Sequence, residues 1–274
     1  MFRGSGSSAY TRLPAVDNRI VSAFGPVPGR LAGAVRVRGA VGLQRLRGPR
    51  AAFRSESYVR LNQRRQEHLA ALGLPLAGRS VLEVGAGVGD HTSFLLDREC
   101  RVTVTDGRPA NVEELRRRFG GESVRLLDLD RPDPSFDESF EIVYCYGTLY
   151  HLSRPAEAID YLAARCNGMM LVETCVSIGD HEAINPEREP ASSASQATSG
   201  LGCRPTRPWV RNRLRMYFPH VYATTTQPWH EEFPTDWTQA PKPGPLTRSI
   251  FVASRAPLAL PSLTDDLPQI QSRA

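Results

Sequence analysis

Three features of the sequence predict an α/β fold, a doubly wound, mostly parallel seven-stranded sheet with helices on both faces and an antiparallel edge strand. Apolar runs rich in Val, Ile and Leu alternate with helical patterns through the middle of the chain. Glycines cluster directly after the first of these runs, and acidic residues stand at the ends of the first three. Strands of this composition separated by helices are buried on both faces, which is the condition of a parallel sheet covered by helices.

The elements follow in order. Tyr58, Leu61, Arg65, His68, Leu69 and Leu72 recur at helical spacing from Ser57 until Gly73 and Pro75 stop the helix. This helix is expected to cover the sheet through its leucines; the alternative is that Tyr58, Asn62, Arg65 and His68 line a ligand. Then come a strand at 81–84 (VLEV), a short helix over 94–97, a strand at 101–106 (RVTVTD), a helix over 112–118 and a strand at 123–129 (SVRLLDL). A strand at 141–147 (EIVYCYG), a helix over 155–164 and a strand at 169–174 (MMLVET) continue the pattern. A last helical pattern spans 207–218. No helical pattern separates the runs at 220–226 and 248–254, so they are expected to form an antiparallel pair at one edge.

The domain is therefore expected over 57–256. Residues 1–56 are poor in acids and rich in Gly, Ser, Pro and Arg, and read as a basic, weakly structured extension. Residues 257–274 read as a disordered or weakly docked tail. Segments 176–205 and 227–247 are long for plain connections and are expected to be acceptor-side loops.

A chain of 274 residues with 41% apolar residues can bury one substantial core. No apolar run approaches the roughly 20 residues that cross a bilayer, and no signal-peptide pattern opens the chain, so a soluble cytoplasmic protein is expected. Five scattered cysteines without CxxC spacing point to free thiols in a reducing compartment rather than disulfides or a zinc site. The net charge of +5 raises the question of a nucleic-acid partner. However, Lys242 is the only lysine, and so uniform a preference for arginine looks like codon bias and weakens that argument.

The stretch VLEVGAGVGDHT (81–92) carries the chemistry. Glu83, Gly85, Gly87 and Gly89 form ExGxGxG, where a turn without Cβ atoms lets the backbone approach a ligand in the crevice used by open α/β sheets. A dinucleotide fingerprint would read GxGxxG. Here the last glycine comes one position early, and Glu83 before the loop would repel a diphosphate but suits a ligand with an amino group and a sulfonium. Asp106 closes the second strand, where a carboxylate can accept both ribose hydroxyls. Asp128 closes the third, beside Leu127 and Leu129, and suits an exocyclic amine on a flat ring.

Together with TDGR, LDL and FEIVYCYGTLYHL, these motifs resemble the class I S-adenosylmethionine-dependent methyltransferases over residues 57–255. The resemblance implies S-adenosylmethionine as cofactor. Glu83 and the loop of Gly85, Ala86, Gly87 and Gly89 would hold its methionine part, Asp106 the ribose, Asp128 the adenine amine and Leu129 an adenine face. Tyr146 and Gly147 would flank the departing methyl. Two positions depart from the family pattern: Gly107 replaces an apolar residue expected against adenine, and Glu141 replaces a frequent Asp. GTLYHL is also similar to a stretch of the transfer-RNA wobble-uridine carboxymethyltransferases.

Methyl transfer is an in-line displacement that needs a base only when the acceptor must lose a proton. His151 is a candidate base or acceptor partner, with a packing role as the alternative; Glu173 is the second candidate. His181, Glu182, His230, Glu231 and Glu232 match no metal-ligand spacing, so no metal is assigned. Arg204, Arg207 and Trp209 in CRPTRPW are further candidates to face an acidic or aromatic acceptor. The expected partner is a small-molecule acceptor. The alternatives are an RNA-modifying methyl- or carboxymethyltransferase and a non-catalytic cofactor-binding module.

Overall fold

The structure, a computed structural model, describes residues 49–121, 123–240 and 244–274. Helix α1 (Glu56–Ala71) starts at Ser55, whose side-chain oxygen accepts the Tyr58 backbone N–H at 3.3 Å, and stops at Gly73 with φ +69°. Then follow β1 (Ser80–Glu83), α2 (Asp90–Leu96), β2 (Arg101–Asp106), α3 (Pro109–Phe119), β3 (Val124–Leu126) and β4 (Phe140–Tyr146). A 3-10 turn (Leu149–His151) leads to α4 (Pro155–Ala163) and β5 (Cys166–Cys175). The remaining elements are β6 (Pro186–Arg188), β7 (Leu201–Cys203), α5 (Arg207–Arg215), β8 (His220–Thr224), β9 (Thr226–Gln227), β10 (Arg248–Ser254), β11 (Leu263–Thr264) and β12 (Ser272–Arg273).

The main sheet has the order β11-β8-β10-β5-β4-β1-β2-β3. Strands β3, β2, β1, β4 and β5 are parallel, while β10 runs antiparallel to both β5 and β8. The mostly parallel sheet with an antiparallel edge is the predicted fold; β11, two residues long, adds an eighth strand. Every residue of β10 is buried, because it is inserted between β5 and β8. Strand order reverses between β1 and β4, which opens a crevice at their carboxyl ends.

Alternation along each strand sorts the core into two layers. Ile142, Tyr144 and Tyr146 of β4 pack with Leu61, Leu69, Leu95 and Leu115 on one face. Val143 and Cys145 pack with Ile159, Leu162, Val210 and Leu214 on the other. Each such side chain contributes roughly 1.5–3 kcal/mol on burial.

Three expectations need correction. The tail is docked: β11 pairs with β8, β12 with β9, and buried Gln271 donates to the Thr224 carbonyl at 2.5 Å and accepts from Trp237 Nε1 at 2.6 Å. Its leucines are the reason, since Leu263 is buried and Leu258, Leu260 and Leu267 pack on the two core layers. Residues 176–205, expected as an acceptor-side loop, contain a hairpin in which β6 and β7 pair antiparallel. Residues 49–56 are not weakly structured: Arg50 pairs with Glu114, and the Phe53 ring is buried. The basic stretch before them lies outside the described residues. No helix among the described residues is long and apolar enough to cross a membrane, and all five cysteines are buried and free.

Candidate active site

The chain leaves β1 at Glu83 and turns through glycines with φ of +64° (Gly85), +60° (Gly87) and +80° (Gly89). Only glycine adopts these values without strain, and packing adds to the demand. A Cβ on Gly85 would collide with the Thr148 hydroxyl, and one on Gly87 would stand 2.8 Å from the Phe53 ring. Gly89 does not line the cavity; a Cβ there would strike Phe119 and Leu115, so its glycine serves the packing of α3 against the start of α2. The other predicted cofactor residues, Glu83, Gly85, Ala86, Gly87, Asp106, Asp128, Leu129 and Tyr146, all line one cavity at the carboxyl ends of β1, β2 and β4.

The acids are held in different ways. Glu83, 2% exposed, accepts from Thr92 Oγ1 at 2.6 Å, and burial pushes its carboxyl up to about 8. Asp106 accepts from the backbone N–H of Gly87 (2.9 Å) and Arg108 (2.8 Å) and from Asn111 Nδ2 (3.1 Å). Burial raises it to about 6, and these three donors oppose the rise. Asp128 accepts the Asp130 N–H at 3.0 Å and faces the cavity beside Leu127 and Leu129. A cationic amino group or sulfonium would favour ionised Glu83, and hydroxyl donors would favour ionised Asp106. The donor set therefore fits S-adenosylmethionine.

The polar face of α1 forms the opposite wall. Tyr58, Asn62 and Arg65 line the cavity, which corrects the expectation that the helix serves only as cover. His68 does not line it; its Nε2 lies 3.1 Å from the Thr226 carbonyl oxygen. Arg65 donates to Asn62 Oδ1 at 3.0 Å and to Glu173 Oε2 at 2.7 Å, while its buried Nε has no partner. Asn62 Oδ1 also meets His91 Nε2 at 3.2 Å, and His91 Nδ1 meets the Tyr144 hydroxyl at 2.6 Å. Burial pulls His91 down to about 3, which keeps it neutral. The Tyr144 and Tyr146 rings stack with centroids 4.5 Å apart, and the buried Tyr146 hydroxyl is unpartnered.

Glu173 is not placed to act as a base. It is fully buried and absent from the cavity wall, with one oxygen held by Arg65 and the other by Arg248 Nη1 at 3.1 Å. Its geometry makes it a positioning group: it fixes Arg65 beneath Gly147 and Arg248 against the Tyr150 hydroxyl at 3.3 Å. Arg248 pairs as well with Glu232, so two buried cations meet two carboxylates.

His151 lines the cavity with its Nδ1 bonded to Glu189, a residue of the hairpin region. Glu189 also accepts the Ala197 N–H at 2.8 Å and pairs with Arg204 at 3.2 Å. Burial lowers the His151 imidazole below its ordinary value, against the opposing pull of Glu189. A neutral imidazole donating from Nδ1 to a carboxylate keeps Nε2 as a proton acceptor. The same segment roofs the cavity: Arg108 Nη2 donates to the carbonyls of Gln196 (2.8 Å) and Ala197 (3.0 Å), and Asn111 Nδ2 to that of Ala194 (3.2 Å). Glu189 and Phe53 carry no local signal in the sequence that links them to the glycine loop.

Of the histidines and acids considered for a metal, His181 and Glu182 are exposed, while Glu231 pairs with Arg60 and Glu232 with Arg248. Among the described residues, no three His, Cys, Asp or Glu side chains are grouped to hold an ion.

Comparison with known proteins bears on this site. A family model described as a methyltransferase domain matches residues 81–167. The tRNA U34 carboxymethyltransferase of Shewanella denitrificans is 33% identical over 129 residues, which cover 44% of this chain and 38% of the relative. The enzyme of that name from Photobacterium profundum is 35% identical over 118 residues, covering 40% and 36%. The matched stretch thus spans well under half the length of these curated relatives. Among solved structures, the N-terminal domain of EvdMO1 in the presence of SAH and D-fucose superposes with a TM-score of 0.54 at 18% identity, over 73% of this chain and 84% of that one. Magnesium protoporphyrin IX methyltransferase (ChlM) from Synechocystis PCC 6803 with bound SAM gives 0.50 at 15% identity, over 84% and 100%. These two share the fold. The sheet order around the crevice, the donor set at its strand ends and the methyltransferase-domain match over residues 81–167 agree, and together they support a class I S-adenosylmethionine-dependent methyltransferase domain.

Proposed function

We propose that the protein transfers a methyl group from S-adenosylmethionine to an oxygen, nitrogen or carbon nucleophile of a small-molecule acceptor. In this reading Glu83 and the loop of Gly85, Ala86 and Gly87 hold the methionine part of the cofactor. Asp106 holds the ribose, Asp128 the adenine amine, Leu129 an adenine face, and Tyr146 flanks the transferred group. The cofactor, when bound, supplies an electrophilic methyl on a sulfonium. The chain's own residues align the acceptor, exclude water beneath the roof of residues 194–198 and Phe53, and accept a proton at His151 Nε2. The observation that carries the reading is the His151–Glu189 pair, a neutral imidazole oriented by a carboxylate at the wall of a roofed cavity.

The test is incubation of the full chain with isotopically labelled cofactor and fractionated cell extract, followed by mass spectrometry of the labelled product. Label in a small molecule supports the proposal; label in tRNA alone refutes the acceptor class.

A second reading, carboxymethyl transfer to RNA, draws on the names of the curated relatives and on one feature of the site. Arg65 and Tyr150, whose hydroxyl accepts from Arg248 behind it, stand at the inner wall, where they suit a carboxylate on the transferred group. Against it, Glu173 and Glu232 already balance both arginines. The mass added to the product, a methyl or a carboxymethyl group, separates the two.

A further inference from the structure

A second cavity, of about 400 Å³, shares no residue with the first; Ser177, Gly179, Asp180, Arg207, Trp237 and Gln269 are among the residues around it. It lies where the chain leaves β5 and enters α5, two segments joined by a bridge between Ser177 and Thr206. The Thr206 N-cap makes no side-chain capping bond, and the first turn of α5 holds no acidic residue. The positive end of this helix is therefore left without a negative partner of its own.

Arg207 is the second observation. It is 5% exposed, its guanidinium centre lies 3.9 Å from the centroid of the Trp237 ring, and its Nη2 donates to the Pro268 carbonyl at 3.0 Å. Its Nε is buried with no partner. The two other arginines buried to this degree among the described residues, Arg65 and Arg248, both pair with Glu173. Among the described residues no carboxylate pairs with Arg207; Asp180, also at this cavity, has a fully exposed side chain whose ion-pair neighbour is His181. Burial without a counter-charge pulls Arg207 down to about 10. A guanidinium held over an indole, at a helix N-terminus and at the wall of a cavity, has the chemistry of an oxyanion receptor.

We propose that this second cavity is a ligand site for an oxyanion, a carboxylate or phosphate group that supplies the counter-charge Arg207 lacks. Its location makes it separate from the cofactor crevice, and it is independent of which acceptor the protein methylates.

The test is thermal unfolding and tryptophan fluorescence of the full chain titrated with sodium phosphate, sodium malonate and, at matched ionic strength, sodium chloride. The wild type is expected to show a saturable rise in Tm with phosphate or malonate and none with chloride. A response to phosphate alone assigns a phosphate ligand, and one to malonate alone a carboxylate. Arg207→Met should abolish the saturable response and be no less stable than the wild type without anion, since it removes an uncompensated buried cation. Arg207→Lys keeps the charge but loses the planar fork, and should weaken the apparent affinity by about tenfold. The proposal is overturned if phosphate and malonate raise the wild-type Tm only linearly, as excluded salts do, or if Arg207→Met responds as the wild type does. Should Arg207→Met not fold, an unchanged affinity in Arg207→Lys overturns it equally.

Discussion

Replacing Glu83 with Gln tests the electrostatics of the glycine loop. The Glu83 carboxyl ordinarily ionises near 4.5, but burial raises it to about 8 in the folded chain. The sign follows from linkage: a folded-state value above the unfolded one means that the native state keeps a proton the unfolded chain releases. The stability this gives is complete below pH 4.5 and is lost as pH rises toward 8. Between pH 5 and pH 7 the loss amounts to roughly 2–3 kcal/mol, at about 1.4 kcal/mol per pH unit. The glutamine introduced by Glu83→Gln can accept the Thr92 hydroxyl as the carboxyl does but carries no titrating proton. Urea denaturation of both proteins without cofactor, at pH 5, 6 and 7, should therefore show the variant gaining on the wild type by that amount. Other titrating groups are common to both and cancel. Saturating S-adenosylmethionine should reverse the order at pH 7, because a cationic ligand favours the carboxylate and only the wild type has one. A stability difference that stays flat with pH would refute the reasoning, since Glu83 would then be ionised in the cofactor-free protein as well.

The other predictions concern the two sides of the cavity. Asp106→Ala should weaken S-adenosylmethionine binding by calorimetry by about 1–3 kcal/mol, the cost of losing a buried charged acceptor, while circular dichroism stays native. His151→Ala should lower kcat by a factor of about 10²–10⁴ if the acceptor must lose a proton in the step. In the wild type the acid limb of the kcat/KM profile should fall below the ordinary imidazole value of about 6.5, as burial lowers His151. Glu189→Gln removes the group that opposes that shift, so its acid limb should move to still lower pH; a limb that does not move would leave Glu189 without a role at His151. Glu173→Gln leaves Arg65 and Arg248 in the core with one fewer carboxylate. Denaturant titration should show a loss of about 3–5 kcal/mol, as when a buried ion pair is broken.

Features written in contiguous sequence are legible from the sequence alone. The alternation of strands and helices, Glu83 with its glycines, and the acids ending successive strands are local patterns. Strand geometry carries such residues to one end of a parallel sheet wherever the fold forms. The same locality explains the error at Gly89: it satisfies the ExGxGxG pattern, yet a contact with Phe119 on α3 decides what its missing Cβ makes room for. The leucines of α1 announce a covering helix, but the role of its polar residues is set by partners far along the chain. Arg65 meets Glu173 across 108 positions, and Asn62 meets His91 across 29.

Fold class and the motifs of the cofactor site are thus properties of short segments, because backbone propensity and hydrophobic period act within a few residues. The roof over the cavity, the pairing of His151 with Glu189, the burial of Glu173 between two arginines and the docking of the tail are not. Each needs two segments brought together by the packing of the sheet, and the sequence of neither segment names the other. Whether a carboxylate becomes a base or a brace depends on such a meeting: at the end of β5, Glu173 reads as a candidate base until Arg65 and Arg248 close on its two oxygens. Charge and burial belong to the assembled site, and so do the chemical roles that follow from them.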